Sequence, residues 1–130
     1  MDMGAKILYV EDNPDNRLLV RRILMIEGYT VIEAANAFQG LEVAQREIPD
    51  LILVDMNLPE MDGYALTRRL REIPELRQVP IVAMTANVMH GDREKTLAAG
   101  CSGYIPKPID VDLLPEQIAR FLHLESYDEG

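Results

Sequence analysis

Cysteine is almost absent from this sequence, since Cys101 is the only one in 130 residues. A single thiol excludes an internal disulfide and a zinc site built from several thiolates. Chains without disulfides suit a reducing compartment. We therefore expect the cytoplasm as the simplest location.

Basic residues are also scarce. Lysine and arginine number 13 against 22 aspartates and glutamates, which gives a net charge of −9 and a pI of about 4.6. This balance repels phosphate backbones, so we expect no binding to nucleic acid. No apolar run approaches the roughly 20 residues that a membrane span needs, and the start of the sequence lacks a basic region followed by an apolar one. We expect no membrane association.

Apolar residues are plentiful, and their 48% share supports a hydrophobic core. The length suits one domain, which we place over 1–130, with its core at about 6–122 and a polar tail at 125–130. Short apolar runs predict five strands: 6–10, 30–34, 51–54 ending at Asp55, 81–85 and 103–106. The unbroken apolar run at 51–54 is typical of a central parallel strand that is covered on both faces.

Helical spacing of apolar residues predicts five helices: 14–27, 37–47, 64–71, 92–99 and a last one that continues to Leu122. Asn13 is the expected cap of the first helix, with a proline at its first position. We place the cap of the last helix at Asp112, because Pro115 fits only within a first turn. Gly91 leaves the start of the fourth helix undetermined. Strands that alternate with helices predict a doubly wound α/β fold with a parallel sheet.

Polar side chains follow four of the predicted strands: Glu11 and Asp12, Asp55, Thr85 and Lys107. Ligands of open α/β sheets bind at this edge. If the first strand lies beside the third, Asp12 and Asp55 are neighbours, and carboxylates about 4 Å apart repel by roughly 4 kcal/mol at an effective dielectric of 20. A divalent cation would neutralise them, and an all-oxygen ligand set favours Mg²⁺. Lys107 and the Thr85 hydroxyl suit a phosphate, so our central hypothesis is that Asp55 is the reactive group in phosphoryl transfer.

Together these residues resemble the receiver domain of bacterial two-component response regulators. The resemblance covers about 6–122 and is carried by four motifs: Glu11-Asp12-Asn13, the run from Asp55 to Gly63, Thr85-Ala86 and Lys107-Pro108. It implies a (βα)5 flavodoxin-like fold with the sheet order 2-1-3-4-5. It also implies that Asp55 accepts a phosphoryl group from the phosphohistidine of a sensor histidine kinase or a histidine phosphotransfer protein. Such a domain is not an enzyme beyond its self-phosphorylation and slow autodephosphorylation.

The resemblance further implies the ligands of a magnesium ion. Asp12, Asp55 and the backbone carbonyl of Asn57 would bind Mg²⁺ directly, and Glu11 would act through water. The acid pair is Glu-Asp where the family more often has Asp-Asp, a frequent variant. Asn57 and Asn87 occupy positions that, in the family, influence how water reaches the acyl phosphate.

The phosphoryl oxygens would be held, by the same resemblance, by Thr85, Lys107 and the backbone of Ala86. The Lys107–Pro108 peptide is expected to be cis. Thr85 and Tyr104 would form the switch, in which phosphorylation draws the threonine inward and the tyrosine follows. The face of the fourth helix, fifth strand and fifth helix would then contact a downstream protein.

Two other functions fit parts of the pattern. A Mg²⁺-dependent phosphohydrolase with an aspartyl-phosphate intermediate would need a second acid two residues after Asp55, where this sequence has Asn57. A flavin-binding protein of the same fold would need a hydroxyl-rich phosphate loop after the first strand, where Glu11 and Asp12 would repel the cofactor.

Because the sequence ends soon after the fifth helix, we expect no attached output domain and an output through protein contacts.

Overall fold

The computed structural model describes residues 4–86 and 92–123. Within these ranges the strands are β1 Lys6–Val10, β2 Thr30–Ala34, β3 Leu51–Asp55, β4 Ile81–Thr85 and β5 Gly103–Pro106. All neighbouring pairs are parallel, and the sheet order β2-β1-β3-β4-β5 confirms the predicted flavodoxin-like arrangement. The helices are α1 Pro14–Ile26, α2 Ala37–Glu47, α3 Gly63–Arg71, α4 Asp92–Ala98 and α5 Leu114–Leu122.

The sheet buries one hydrophobic cluster on each face. Along β1, Leu8 and Val10 point to the face that α2 and α3 cover, whereas Ile7 and Tyr9 point to the face that α1 and α5 cover. This alternation follows from the two-residue period of a strand. Because both faces are covered, the central strands are mostly apolar, and their polar residues lie at the strand ends.

The register of the sheet determines which residues meet at its C-terminal edge. Val10 pairs with Val54, and Asp55 pairs with Met84. The ends of β1, β3 and β4 are therefore level with one another. Glu11, which follows β1, comes beside the carboxylate that ends β3.

Most of the predicted boundaries differ from the structure by no more than one residue. The cap at Asn13 is confirmed, since its side chain accepts hydrogen bonds from two backbone N–H groups of the first turn. α1 ends at Ile26, α3 begins at Gly63 and α4 ends at Ala98. A short 3-10 helix, Pro74–Leu76, lies in the connection to β4, where the sequence predicted only a loop.

The predicted start of α5 was wrong. Asp110, not Asp112, forms the turn before this helix, because its Oδ1 accepts the N–H of Asp112 at 3.0 Å and the N–H of Leu113 at 3.2 Å. The helix begins at Leu114, with Leu113 as the capping residue. Pro115 still falls within the first turn, where its missing N–H costs no helical hydrogen bond.

Two parts of the sequence-based prediction concern residues that the structure does not describe. The polar tail at 125–130 and Asn87 lie outside the described residues. Across the described ranges, every helix is too short or too polar to cross a membrane.

Candidate functional site

Three carboxylates meet at the C-terminal edge of the sheet. One oxygen from each of Glu11, Asp12 and Asp55 lies within 4.8 Å of the others. Asp12 is exposed, whereas Glu11 and Asp55 are only 1% and 3% exposed. Buried carboxylates are stable as charges only when cations or hydrogen-bond donors surround them. The cluster therefore depends on its donors.

Lys107 brings a positive charge into this cluster. Its Nζ lies 2.8 Å from Asp55 Oδ1 and 3.7 Å from Glu11 Oε1. The backbone N–H of Lys107 donates to the Thr85 carbonyl at 2.9 Å, which anchors the lysine at the end of β4. Three carboxylates and one ammonium group leave a formal charge of −3 + 1 = −2. This remainder matches the charge of one divalent cation.

Glu11 is held by donors to both of its carboxylate oxygens. Its Oε1 accepts from the Tyr9 hydroxyl at 3.1 Å and from Asn16 Nδ2 at 3.5 Å, and its Oε2 accepts the Asn13 N–H at 3.2 Å. Burial raises the pKa of the Glu11 carboxyl and the charge of Asp55 raises it further, while the Asn13 hydrogen bond opposes both. The charge of Lys107 also lowers this pKa, but on balance it stays raised, so the donors fix the orientation of an acid whose ionised form a bound cation would favour.

The end of β1 is fixed from α1 by Arg17. Its Nη1 donates to the Glu11 carbonyl at 2.6 Å, and its Nε donates to Glu33 Oε1 at 3.2 Å. Glu33 lies on β2 and also pairs with Arg21 at 3.0 Å. These contacts tie α1, β1 and β2 together where the acid pair leaves the sheet.

Asp55 has a second donor besides the lysine. The backbone N–H of Asn57 donates to Asp55 Oδ1 at 3.1 Å. Asn57 itself is exposed and begins the turn that leads to α3. Two donors to the same oxygen, Oδ1, therefore hold the Asp55 carboxylate at the C-terminal edge of the sheet.

The remaining predicted site residues lie on β4 and β5. Thr85 ends β4 and is buried, and Ala86 follows it in an exposed position. Tyr104 is partly buried on β5, where it pairs with Ala83, two residues before Thr85. The Lys107–Pro108 peptide bond is cis.

The oxygen ligands of this corner fit a magnesium ion. Carboxylates are hard ligands, and the described residues bring no thiol or imidazole to the cluster. Mg²⁺ in proteins is held by one or two carboxylates together with water and substrate phosphates. The exposed acid Asp12, beside two buried ones, leaves the solvent side open for such partners.

Sequence reasoning missed three residues that support the acids: Tyr9, Asn16 and Arg17. A signal for Tyr9 was present, because it is the polar-tipped residue in an otherwise aliphatic strand and lies two positions before Glu11. Residues two apart on a strand share a face. Asn16 and Arg17 had no comparable signal, since polar residues on a helix usually face water.

Comparison with known proteins gives consistent results. The family model for the response regulator receiver domain matches residues 7–119. The chain is 40% identical over 120 residues to the polar-differentiation response regulator DivK of Brucella anthropi, covering 92% of this chain and 98% of that protein.

Solved structures agree. The chemotaxis response regulator CheY4 of Vibrio cholerae superposes with a TM-score of 0.88 at 28% identity, over 92% of this chain and 99% of that one. The receiver domain of a sensor histidine kinase of Pseudomonas aeruginosa, solved with a magnesium ion in its active-site cleft, gives a TM-score of 0.84 at 41% identity, over 92% and 98% of the two chains. The chain belongs to the response regulator receiver domain family and has the phosphoacceptor role of that family in two-component signalling.

Proposed function

We propose that Asp55 is the phosphoacceptor and that Mg²⁺ is its cofactor. The observation that carries this proposal is the position of the Asp55 carboxylate, which lies 2.8 Å from Lys107 Nζ and within 4.8 Å of two further acids. An acyl phosphate formed here would have a cation on one side and an acidic ligand set on the other. The magnesium-bound receiver of Pseudomonas aeruginosa supports the choice of metal.

Phosphoryl transfer needs a positioned nucleophile and stabilised charge. An Asp55 oxygen attacks the phosphorus of a phosphohistidine; a new O–P bond forms, the P–N bond breaks, and the imidazole leaves with the electron pair. Lys107 and the Asn57 N–H hold the attacking carboxylate in place before the transfer. A bound magnesium ion supplies neutralisation of the charge that develops on the phosphoryl oxygens.

The groups around Asp55 suit the product as well as the reactant. Lys107 reaches Asp55 through a flexible stem, so its ammonium group can move to a phosphoryl oxygen once the acyl phosphate has formed. Thr85 and the backbone of Ala86 lie at the end of the neighbouring strand and are the further donors that we assign to the phosphoryl group. Asp12, Asp55 and the Asn57 carbonyl are the direct metal ligands in this proposal.

We assign Glu11 a contact with the metal through water, with its carboxylate held in place by Tyr9 and Asn13. Slow autodephosphorylation follows when water attacks the acyl phosphate. We assign the adjustment of its rate to Asn57, which is exposed beside the acceptor, and to Asn87.

Output passes through β5 and its neighbouring helices. Tyr104 and Thr85 lie on the same side of the sheet, since Ala83, two residues before Thr85, pairs with Tyr104. A phosphoryl group that draws Thr85 toward Asp55 therefore changes the packing beside Tyr104, and the face of α4, β5 and α5 responds as a two-state element. The phosphodonor is a sensor histidine kinase or a histidine phosphotransfer protein, and the receiver of the signal is a protein that binds this face.

The test is phosphorylation of the purified chain by acetyl phosphate or a phosphorylated donor protein with Mg²⁺, followed by intact-mass spectrometry. We expect one acid-stable, base-labile phosphoryl group in the wild type and in Asp112→Asn, an exposed control aspartate, and none in Asp55→Asn. Retention of the label by Asp55→Asn would overturn the proposal. Because the chain has no tryptophan, magnesium and beryllofluoride binding are followed by NMR or thermal shift.

The competing phosphohydrolase function is not favoured. It predicts many turnovers of a generic phosphate ester, whereas a receiver domain releases at most the phosphate that it has accepted. Incubation with p-nitrophenyl phosphate and Mg²⁺ separates the two, because multiple turnovers abolished by Asp55→Asn would support the hydrolase.

A further inference from the structure

Tyr9 places a hydroxyl group in the apolar interior of the sheet. Its side chain is 0% exposed and belongs to the hydrophobic cluster between the sheet, α1 and α5. Packing in such a cluster requires only the ring. The hydroxyl donates to Glu11 Oε1 at 3.1 Å, so its one polar contact within the described part of the chain is with an acid of the proposed metal site.

The geometry of β1 makes this contact possible. Tyr9 and Glu11 are two residues apart and project from the same face of the strand. Glu11 lies just beyond the last residue of β1, and its backbone N–H still bonds to the Ala34 carbonyl at 3.0 Å. A glutamate side chain is one methylene longer than an aspartate, which lets its carboxylate reach the tyrosine hydroxyl while it remains within 4.8 Å of Asp12 and Asp55.

The same oxygen of Glu11 is approached by Lys107. Lys107 Nζ lies 3.7 Å from Glu11 Oε1 but only 2.8 Å from Asp55 Oδ1. Without the Tyr9 hydroxyl, this buried oxygen would keep the long hydrogen bond from Asn16 Nδ2 at 3.5 Å and would attract the lysine more strongly, since a poorly satisfied buried acceptor carries a desolvation cost. The Tyr9 hydroxyl satisfies that oxygen and so leaves the lysine on Asp55.

We propose that Tyr9 is a positioning residue for this site: its hydroxyl orients Glu11 toward the magnesium position and keeps Lys107 from pairing more closely with Glu11. The proposal rests on the proposed function of Asp55 and Mg²⁺, and it assigns Tyr9 no contact with the phosphoryl group. Removing a residue that hydrogen-bonds to a metal ligand typically lowers metal affinity by about 10- to 100-fold. Since Glu11 acts through water, the effect here belongs at the lower end.

The test is Tyr9→Phe, which removes the hydroxyl and keeps the ring. We expect a folded protein with a lowered melting temperature, because a buried acceptor loses a donor, and a Mg²⁺ dissociation constant about tenfold higher, measured by NMR titration without any phosphodonor. In phosphorylation by acetyl phosphate, the half-saturating Mg²⁺ concentration should rise by a similar factor. The rate at saturating Mg²⁺ should fall by less than about threefold, because the acceptor and the lysine remain.

Two comparisons separate positioning from a general structural effect. Tyr29→Phe is the matched control, since Tyr29 is buried in the same cluster but precedes β2, at the opposite end of the sheet, and we expect its magnesium affinity to be that of the wild type. Glu11→Asp draws the carboxylate back from Tyr9, so adding Tyr9→Phe to that variant should weaken Mg²⁺ binding by less than about twofold.

The proposal for Tyr9 and the proposed function would be contradicted by different results. Wild-type magnesium affinity in Tyr9→Phe, or an equal loss in the Glu11→Asp background, would overturn the role of Tyr9 and leave the phosphoacceptor proposal intact. If Asp55→Asn still becomes phosphorylated, the proposed function falls, whatever the affinity of the Tyr9 variant.

Discussion

Lys107 Nζ lies 2.8 Å from Asp55 Oδ1, although 52 residues separate them in the sequence. The contact spans the end of β4, because Lys107 follows β5 and Asp55 ends β3. In the proposed function, the lysine therefore pairs with the Asp55 carboxylate before phosphorylation. It would then compete with a magnesium ion for this carboxylate and would bind the phosphoryl group after transfer.

Replacing Lys107 by methionine should strengthen magnesium binding and slow phosphorylation. We expect Mg²⁺ to bind the unphosphorylated protein several-fold more tightly, by about 1 kcal/mol after solvent screening, because a competing cation has been removed. Phosphorylation at saturating Mg²⁺ should slow by at least about tenfold, since a donor to the phosphoryl oxygens is lost. NMR titration and phosphorylation kinetics measure the two effects. Lys95→Met, at an exposed position on α4, is the control, and weaker magnesium binding in Lys107→Met would contradict this account.

Magnesium affinity should depend on pH through Glu11. Burial, followed by the charge of Asp55, raises the pKa of this carboxyl above its usual 4.5. A raised pKa means that the metal-free fold holds the Glu11 proton more tightly than the unfolded chain does, so this group contributes stability below about pH 4.5 that is lost as the pH rises through the raised value. Mg²⁺ favours the ionised form, and its affinity should therefore increase with pH across that same interval.

The measurement is a series of Mg²⁺ titrations between pH 5 and pH 8 in wild type and Glu11→Gln. The wild type should gain affinity as the pH rises, and the variant should show a flatter profile because its side chain does not titrate. Identical profiles in the two proteins would show that another acid controls the dependence.

The sequence predicts the sheet well, but it predicts the side chains that support the site less well. The strands and the acids that follow them were predictable, because an apolar run that ends in a charge marks a strand end. The sheet order followed from the family resemblance of four motifs. The cap of α5 was wrongly placed at Asp112. Asp110 offers the same side chain two residues earlier, and only the backbone path decides between the two.

The contacts behind the site were out of reach for a different reason. Arg17 donates from α1 to the Glu11 carbonyl just after β1, and Arg71 donates from α3 to the Val79 carbonyl in the turn before β4. Such partners depend on how helices lie against the sheet, and periodicity carries no information on that. Polar residues with several buried partners are therefore where structure adds most to sequence.

Arg71 allows a test of how much such a polar side chain, with several partly buried partners, contributes to stability. Its guanidinium donates to the carbonyls of Leu76 at 2.7 Å, Val79 at 2.6 Å and Gly100 at 2.8 Å, and so joins the end of α3 to the turns before β4 and β5. Arg71→Met keeps much of the side-chain volume but leaves these carbonyls without their donor, which should lower the free energy of unfolding by about 2 to 3 kcal/mol.

Urea denaturation measures this change, and Arg69→Met, at an exposed position on the same helix, should change stability by less than about 0.5 kcal/mol. Hydrogen exchange should also be faster at Ser102, whose backbone N–H bonds to the Ile81 carbonyl at 2.7 Å. Equal stability of the Arg71 and Arg69 variants would mean that water replaces the guanidinium without cost.

Gly63 links the fold to the site through a close backbone approach. A Cβ atom at this position would lie 2.7 Å from Met56 Cα and 2.9 Å from the Asp55 carbonyl oxygen, and both of these are backbone atoms that cannot rotate away. Helix propensity alone predicts that Gly63→Ala stabilises α3 by up to about 1 kcal/mol. We expect the opposite sign, a loss of about 1 to 3 kcal/mol, because the turn after β3 must move.

The same displacement should reach the metal site, since Asn57 lies within that turn and its N–H bonds to Asp55. We therefore expect weaker Mg²⁺ binding in Gly63→Ala, measured by NMR titration beside urea denaturation. Ala65→Gly, in the same turn of α3, is the control: it should lose about 1 kcal/mol of stability through propensity and keep wild-type magnesium affinity. A stabilised Gly63→Ala variant with unchanged affinity would show that the turn accommodates the methyl group and that the close approach does not hold Asn57 in place.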